Sequence, residues 1–167
     1  KGCVVTREYM LDWMSYLRQK PDSKPSTSLV IVSPKEGTGK TWLATPLKWI
    51  FGPDLVMFTG GEAIYDPFDC PFVHKRITFL DEMPRPEKMR AAIDPHARLK
   101  RLITARRTTL KRKHRPAEEM RIPALVITLN EIESLADFAD GRRFCIVLNT
   151  DPPEDKAYYD RLWAQTG

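Results

Sequence analysis

The segment Gly37-Thr38-Gly39-Lys40-Thr41 combines residue types that bind phosphate groups. Its glycines allow backbone N–H groups to surround phosphate oxygens, and the start of the helical stretch that follows adds positive potential. The ammonium of Lys40 has the length to contact β- and γ-phosphates, and the hydroxyl of Thr41 is a ligand for Mg²⁺. Because a short apolar run precedes the segment, we predict a loop that binds a nucleoside triphosphate; the alternative is a chance glycine-rich turn.

Two acidic residues, Asp81 and Glu82, directly follow the apolar run 77–80. At the end of a buried strand, Asp81 would hold Mg²⁺ directly or through water. Glu82 would orient and deprotonate an attacking water molecule. The pair therefore has the pattern of a Walker B motif, although an acidic pair is also a common way for a chain to leave a sheet.

Further polar residues stand at or near the ends of the apolar runs. Asn130 follows the run 124–128, and its amide would hydrogen-bond the γ-phosphate or the nucleophilic water, although asparagine is also frequent in turns. Arg142 and Arg143 precede the last apolar run. A guanidinium there would stabilise the charge that spreads over a transferred phosphoryl group, and in a ring it would come from the next subunit. The alternative for this pair is an ordinary surface position.

The positive charge of the chain is concentrated in one segment. The sequence has a net charge of +5, whereas residues 85–121 hold thirteen Lys and Arg against four Asp and Glu. Within this segment, Lys111, Arg112, Lys113 and His114 lie between two short arms that favour a β-hairpin. A concentrated basic segment suits a polyanion, because each neutralised phosphate releases condensed counterions. We therefore predict that this tip contacts nucleic acid; the alternative is a solvated surface.

Alternating strand-like and helix-like stretches predict the fold class. Short apolar runs typical of buried parallel strands lie at 29–32, 55–58, 77–80, 124–128 and 144–148. Helical patterns occupy 6–19, 40–51, 86–104 and 155–163. Within the second of these, Pro46 is expected to bend or shorten the helix. The alternation predicts an α/β protein with a central parallel five-stranded sheet flanked by helices.

Length and composition limit the possible classes of protein. With 167 residues, of which 42% are hydrophobic and 29% charged, the chain has the composition of a soluble globular domain. No apolar run approaches the ~18 residues that span a bilayer, so we expect no membrane association. Three scattered cysteines and the lack of a signal-peptide pattern favour a cytoplasmic location, in the host cell if the protein is viral.

The chain begins with Lys1, so we expect a part of a longer protein. We divide it into an N-terminal helix and linker (1–28), a core (29–150) and a C-terminal helical tail (151–167). The candidate site residues all lie in the predicted core.

Taken in order, these motifs resemble the superfamily 3 helicase core, and more narrowly the ATPase domain of phage and mobile-element primase–helicases. The run 33–41 is similar to that family's Walker A form, in which Pro34 replaces the first glycine of the pattern GxxxxGK[ST]. By this likeness Glu36 joins the nucleotide-binding loop. Asp81 and Glu82 match the family's Walker B pair.

Three other segments carry the same resemblance. Thr128 and Asn130 match the family's motif C. The stretch 99–113 resembles the motif that ends in a basic hairpin, and the segment 142–144 is similar to the arginine-finger segment, with either Arg142 or Arg143 as the finger.

The resemblance implies a P-loop NTPase of AAA+-like fold. Such proteins assemble into a homo-oligomeric ring, usually a hexamer, and bind ATP and Mg²⁺ at subunit interfaces. Their basic hairpins project into the central channel and track one strand of single-stranded or forked DNA, and a primase or polymerase domain can share the full-length chain. The implied function is an ATP-dependent DNA helicase motor of a replication protein. Two alternatives stay open: a P-loop small-molecule kinase, and a nucleic-acid-binding replication initiator with weak or no ATP turnover.

Overall fold

The computed structural model describes residues 4–65, 72, 74–83, 95–110, 118–132, 134, 138 and 142–166. The strands in this part of the chain are β1 (Ser28–Val32), β2 (Val56–Gly60), β3 (Ile77–Asp81), β4 (Arg107–Leu110), β5 (Glu118–Arg121), β6 (Ala124–Leu129) and β7 (Phe144–Leu148). Five of them form one parallel sheet in the order β2-β3-β6-β1-β7, and β4 pairs with β5 as an antiparallel hairpin.

Helices cover both faces of the sheet. They are α1 (Val4–Gln19), α2 (Ala44–Phe51) and α3 (Pro95–Thr104). A fourth helix, α4 (Lys156–Thr166), is largely exposed, and 3₁₀ segments lie at 40–43, 53–55 and 61–65. Strand β6 shows how the sheet separates two cores, because successive side chains point to opposite faces. Ala124 and Val126 pack with α1 and α2, whereas Leu125 and Ile127 pack with α3 and the segment 61–65.

The first α-helix after the glycine-rich loop is shorter than the sequence pattern predicts. Residues 40–43 form a 3₁₀ turn, and α2 begins only at Ala44. Pro46 explains this boundary, because its ring would clash with the carbonyl of Trp42 if the α-helix began earlier. At its actual position Pro46 lies in the first turn of α2, where an N–H group has no partner within the helix.

The predicted α/β fold, with a five-stranded parallel sheet flanked by helices, is confirmed. The strands lie where the apolar runs predict them, and the hairpin β4–β5 occupies its predicted place. Helix α3 begins at Pro95; the predicted helical residues 86–94 lie outside the described residues, as does the basic hairpin tip. In the described part of the chain, every helix is too short or too polar to cross a bilayer.

One lysine is buried where the N-terminal linker meets the rest of the protein. The side chain of Lys24 donates hydrogen bonds to the carbonyl of Leu102, at the end of α3, and to the carbonyl of Pro123, just before β6. Removal from water disfavours the charged form, and burial lowers the pKa of Lys24 from 10.5 to about 7.

We expect this burial to make stability depend on pH. Between pH 7 and about 10 the unfolded chain holds a proton on Lys24 that the folded chain has released. The free energy of unfolding therefore rises with pH, by at most about 1.4 kcal/mol per pH unit from this group. Urea denaturation of the wild type and Lys24→Met at several pH values measures the contribution, since the variant lacks the titration. Identical pH slopes in the two proteins would contradict it.

Candidate functional site

The strand order brings distant polar residues together. Strand β6 lies between β1 and β3, with Val32 level with Leu129 and Asp81 level with Thr128. Because parallel strands end at one edge of a sheet, the loop after β1, the residue after β6 and the acidic end of β3 are neighbours there. This carboxyl edge is where ligands bind in open α/β sheets.

Three predicted site residues form one hydrogen-bonded chain at this edge. The Nζ of Lys40 donates to Oδ1 of Asn130 and, at 2.9 Å, to the carbonyl of Ser33. The Nδ2 of Asn130 donates in turn to Oε1 of Glu82. An ammonium, an amide and a carboxylate from three separate segments therefore meet in one place.

Thr128 of β6 holds Asp81 beside these three hydrogen-bonded residues. The hydroxyl of Thr128, which is 1% exposed, donates to Oδ1 of Asp81. The backbone N–H of Glu82 donates to the carbonyl of Thr128 at 3.2 Å. Glu82 has a φ of 49°, a left-handed conformation that is strained for a residue with a Cβ. Such strain is concentrated at functional sites, so the backbone of Glu82 itself points to a function at this turn.

The glycine-rich loop adopts a conformation that only glycine takes without strain at two positions. Gly37 has a φ of 72° and Gly39 a φ of 80°. The hydroxyl of Thr38 donates to Oγ of Ser33 at 2.8 Å, and that hydroxyl donates to the carbonyl of Lys35 at 3.2 Å. The loop is thus closed by its own side chains.

A cavity of about 500 Å³ adjoins the loop. Its second wall is formed by residues 147–152 and by α4, whose Tyr159 donates a hydrogen bond from its hydroxyl to the carbonyl of Gly37 at 3.0 Å. The sequence pattern does not predict this wall, since it indicates a separate helical tail for residues 151–167. The pair Tyr158-Tyr159 carries no local pattern that links it to a loop 122 residues away.

The remaining predicted residues lie in different places. Glu36 and Thr41 are exposed in the loop and in the 3₁₀ turn that follows it. The carbonyl of Arg143 accepts a hydrogen bond from Ser28 at the start of β1, so Arg142 and Arg143 lie at the amino edge of the sheet. The five-residue strand β7 spans about 16 Å between the two edges of the sheet. Within a single subunit, these arginines therefore do not reach Lys40. Lys111, Arg112, Lys113 and His114 lie outside the described residues.

The oxygen atoms at the carboxyl edge suit Mg²⁺, which needs few protein ligands, better than a metal ion that is coordinated by protein side chains alone. Among the described residues there is no group of three or more His, Cys, Asp and Glu side chains that could hold an ion. Mg²⁺ commonly takes one or two protein oxygens, and substrate phosphates and water complete its octahedron. The Asp81 carboxylate at this edge is an oxygen ligand of this kind, and Thr41 offers a hydroxyl oxygen in the exposed turn after the loop.

The class defined by this fold and site is an α/β protein with a glycine-rich loop and polar strand ends on one sheet edge. Residues 31–143 match the model of a family of unknown function, DUF5906, and the chain belongs to this family. No curated protein matches the chain significantly.

Solved structures with a similar fold include three of the C-terminal region of NrS-1. An A-form apo structure of residues 305–718 has a TM-score of 0.65 at 21% identity, and covers 94% of this chain and 37% of that one. An apo structure of the same region has a TM-score of 0.65 at 19% identity, with coverages of 99% and 44%. A further A-form structure has a TM-score of 0.62 at 17% identity. This chain thus spans less than half of those chains, and the likeness concerns the fold.

Proposed function

We propose that this protein is the Mg²⁺-dependent ATPase motor of a nucleic-acid helicase, of the superfamily 3 kind. The observation that supports this proposal most is the hydrogen-bonded chain of Lys40, Asn130 and Glu82, beside Asp81 and the glycine-rich loop. A cation for phosphate, an amide for the γ-phosphate or water, and a carboxylate for proton transfer are the groups that triphosphate hydrolysis needs.

In this proposal the loop and its lysine bind the triphosphate. Backbone N–H groups around Gly37 and Gly39 surround the phosphates, and the start of the 3₁₀ turn adds positive potential. Lys40 has three N–H groups, of which Ser33 and Asn130 accept two. The ammonium therefore keeps a donor for a phosphate oxygen while its position is fixed by the protein. The cavity beside the loop would receive the nucleoside.

Glu82 would act as the general base in hydrolysis. The water oxygen attacks the γ-phosphorus, its proton passes to the Glu82 carboxylate, and the bond to the bridging oxygen breaks to give ADP and phosphate. Asn130 orients this carboxylate, and its amide would also contact the γ-phosphate. When bound, Mg²⁺ neutralises charge on the β- and γ-phosphate oxygens, and Asp81 and Thr41 would hold it.

The arginines suit a role between subunits. Because Arg142 and Arg143 lie at the edge opposite to Lys40, either would act on the ATP of a neighbouring copy in a homo-oligomeric ring, such as a hexamer. The partner of this ring would be single-stranded or forked DNA, contacted by the hairpin tip 111–114. Since the chain spans less than half of the NrS-1 region, further domains such as a primase or polymerase would lie elsewhere on a longer chain.

Phosphate release from ATP by the wild-type protein tests this proposal. We expect turnover that requires Mg²⁺, stops with EDTA and increases when single-stranded DNA is added. Size-exclusion chromatography in the same buffer reports whether a ring has assembled. Absence of turnover by the assembled protein would contradict the proposal and favour an initiator. Transfer of the phosphoryl group to a nucleoside instead of water would favour a kinase.

A further inference from the structure

A second cavity, of about 660 Å³, lies at the opposite edge of the sheet, at the root of the hairpin β4–β5. We call it the root groove. Its lining includes five cationic side chains, those of Lys75, Arg76, Arg106, Arg107 and Arg121. The acidic residues among its lining are Asp22 and Glu119. The groove therefore carries an excess of positive charge in a concave surface, which focuses the electrostatic field.

The fold places like charges against each other in this groove. Arg107 and Arg121 are register partners across the hairpin, an arrangement that is destabilising between like charges. Each is paired with one acid at 2.6 Å, Arg107 with Glu119 and Arg121 with Asp22, and all four side chains are more than half exposed. Such exposed ion pairs are weak, so they compensate only part of the repulsion.

Arg76 forms a fixed part of the groove wall. Its Nη2 donates to the carbonyl of Leu17, in the last turn of α1, and to that of Lys20, just after α1, at 2.6 and 2.7 Å. Burial, followed by the charge of Arg121, lowers the pKa of Arg76. The protein therefore maintains a crowded cluster of guanidinium groups at an electrostatic cost, and an anionic ligand would relieve that cost.

A third cavity, of about 510 Å³, continues from the root groove, and Lys24 and Arg106 line both. Its wall contains Tyr9 and Tyr16 of α1, each 39% exposed. These tyrosines are seven positions apart, so they lie on one face of the helix. Proteins bind single strands of nucleic acid with two components, aromatic rings on which bases stack and a basic groove that contacts the phosphates. Both components are present here.

We propose that the root groove and the adjoining tyrosine pocket bind one strand of nucleic acid, with phosphates along Arg106 and Arg107 and bases against Tyr9 and Tyr16. This surface lies at the sheet edge opposite to the proposed ATP site. The proposal rests on the proposed function only for its partner, nucleic acid, and it requires no ATP hydrolysis.

Fluorescence anisotropy with a labelled oligothymidylate, in the absence of nucleotide, tests the phosphate contacts. The double variant Arg106→Gln/Arg107→Gln should bind about 25-fold more weakly at 0.1 M salt, because each lost single-strand contact removes about 0.7 from the salt slope. The control Arg7→Gln/Lys48→Gln removes two exposed cations from α1 and α2 and should change affinity by less than about twofold. Equal losses in the two double variants would overturn the proposal.

Two further variants separate binding from misfolding. Glu119→Gln removes an acid from the groove and should tighten binding by about two- to fivefold, a gain that structural damage does not produce. Tyr16→Ala should weaken binding at least about fivefold, whereas Tyr16→Phe, which keeps the ring, should bind as the wild type does. An unchanged affinity in Glu119→Gln together with an unchanged affinity in Tyr16→Ala would overturn the proposal.

The same assay separates this proposal from the ATPase proposal. Strand binding should persist in Lys40→Ala, and it should resist competition by millimolar ATP or inorganic phosphate. Loss of binding to either competitor would assign the groove to small anions and overturn the nucleic-acid proposal. If the wild type lacks ATPase activity while the groove variants behave as expected, the ATPase proposal fails and the groove proposal stands.

Discussion

Glu82→Gln is expected to lower the rate of ATP hydrolysis by about 10²–10⁴-fold while ATP binding changes little. Glutamine keeps the shape of the side chain and an oxygen that can accept the hydrogen bond from Nδ2 of Asn130. It cannot take a proton from water at neutral pH. The loss should therefore fall on the chemical step, with kcat reduced and the Kd for ATP retained.

A matched control for this variant is Glu62→Gln, which neutralises an exposed acid in the segment that follows β2, the strand beside β3. We expect hydrolysis close to that of the wild type. Single-turnover phosphate release measures the chemical step, and equilibrium binding of a fluorescent ATP analogue measures affinity. A Glu82→Gln protein that hydrolyses ATP within about threefold of the wild type would remove Glu82 from its proposed role.

Lys40→Ala is expected to weaken ATP binding at least about 30-fold and to reduce hydrolysis to the background rate. Removing one partner of a close charge pair costs about 2–5 kcal/mol, much of it because the other charge is left unpaired. In this protein the variant also takes away the donor that holds Oδ1 of Asn130. Both effects act on the bound triphosphate, so affinity and turnover should fall together.

Lys48→Ala is the control for this change, because it removes an exposed lysine eight positions further along the chain, in α2. Isothermal titration with ATP and Mg²⁺ gives the affinities, and thermal unfolding shows whether each variant is folded. If folded Lys40→Ala binds ATP as tightly as Lys48→Ala does, the glycine-rich loop is not the triphosphate site.

The central strands of the sheet are predictable because they are buried on both faces. Residues 124–129 illustrate this, since all six are buried and five are apolar, so the run is visible without any knowledge of its neighbours. The types of residue at the site are predictable for a related reason. Glycine at 37 and 39 meets a backbone need, and acids directly after an apolar run end a strand.

The contacts at the site are less predictable because they arise from topology. Nothing local in the chain indicates that β6 lies between β1 and β3, yet this order alone joins Asn130 to both Lys40 and Glu82. The wall made by Tyr159 has the same origin. The root groove was missed because Lys75 and Arg76 lie outside the basic segment 85–121, and folding adds them to Arg106, Arg107 and Arg121.

The interposed strand also governs which charges neutralise each other. Lys40 and Glu82 carry opposite charges, and in adjacent positions they would form a direct ion pair. One amide, that of Asn130, accepts from the first and donates to the second. The amide thereby separates the ammonium from the carboxylate, so the two groups do not form a direct ion pair before a ligand binds.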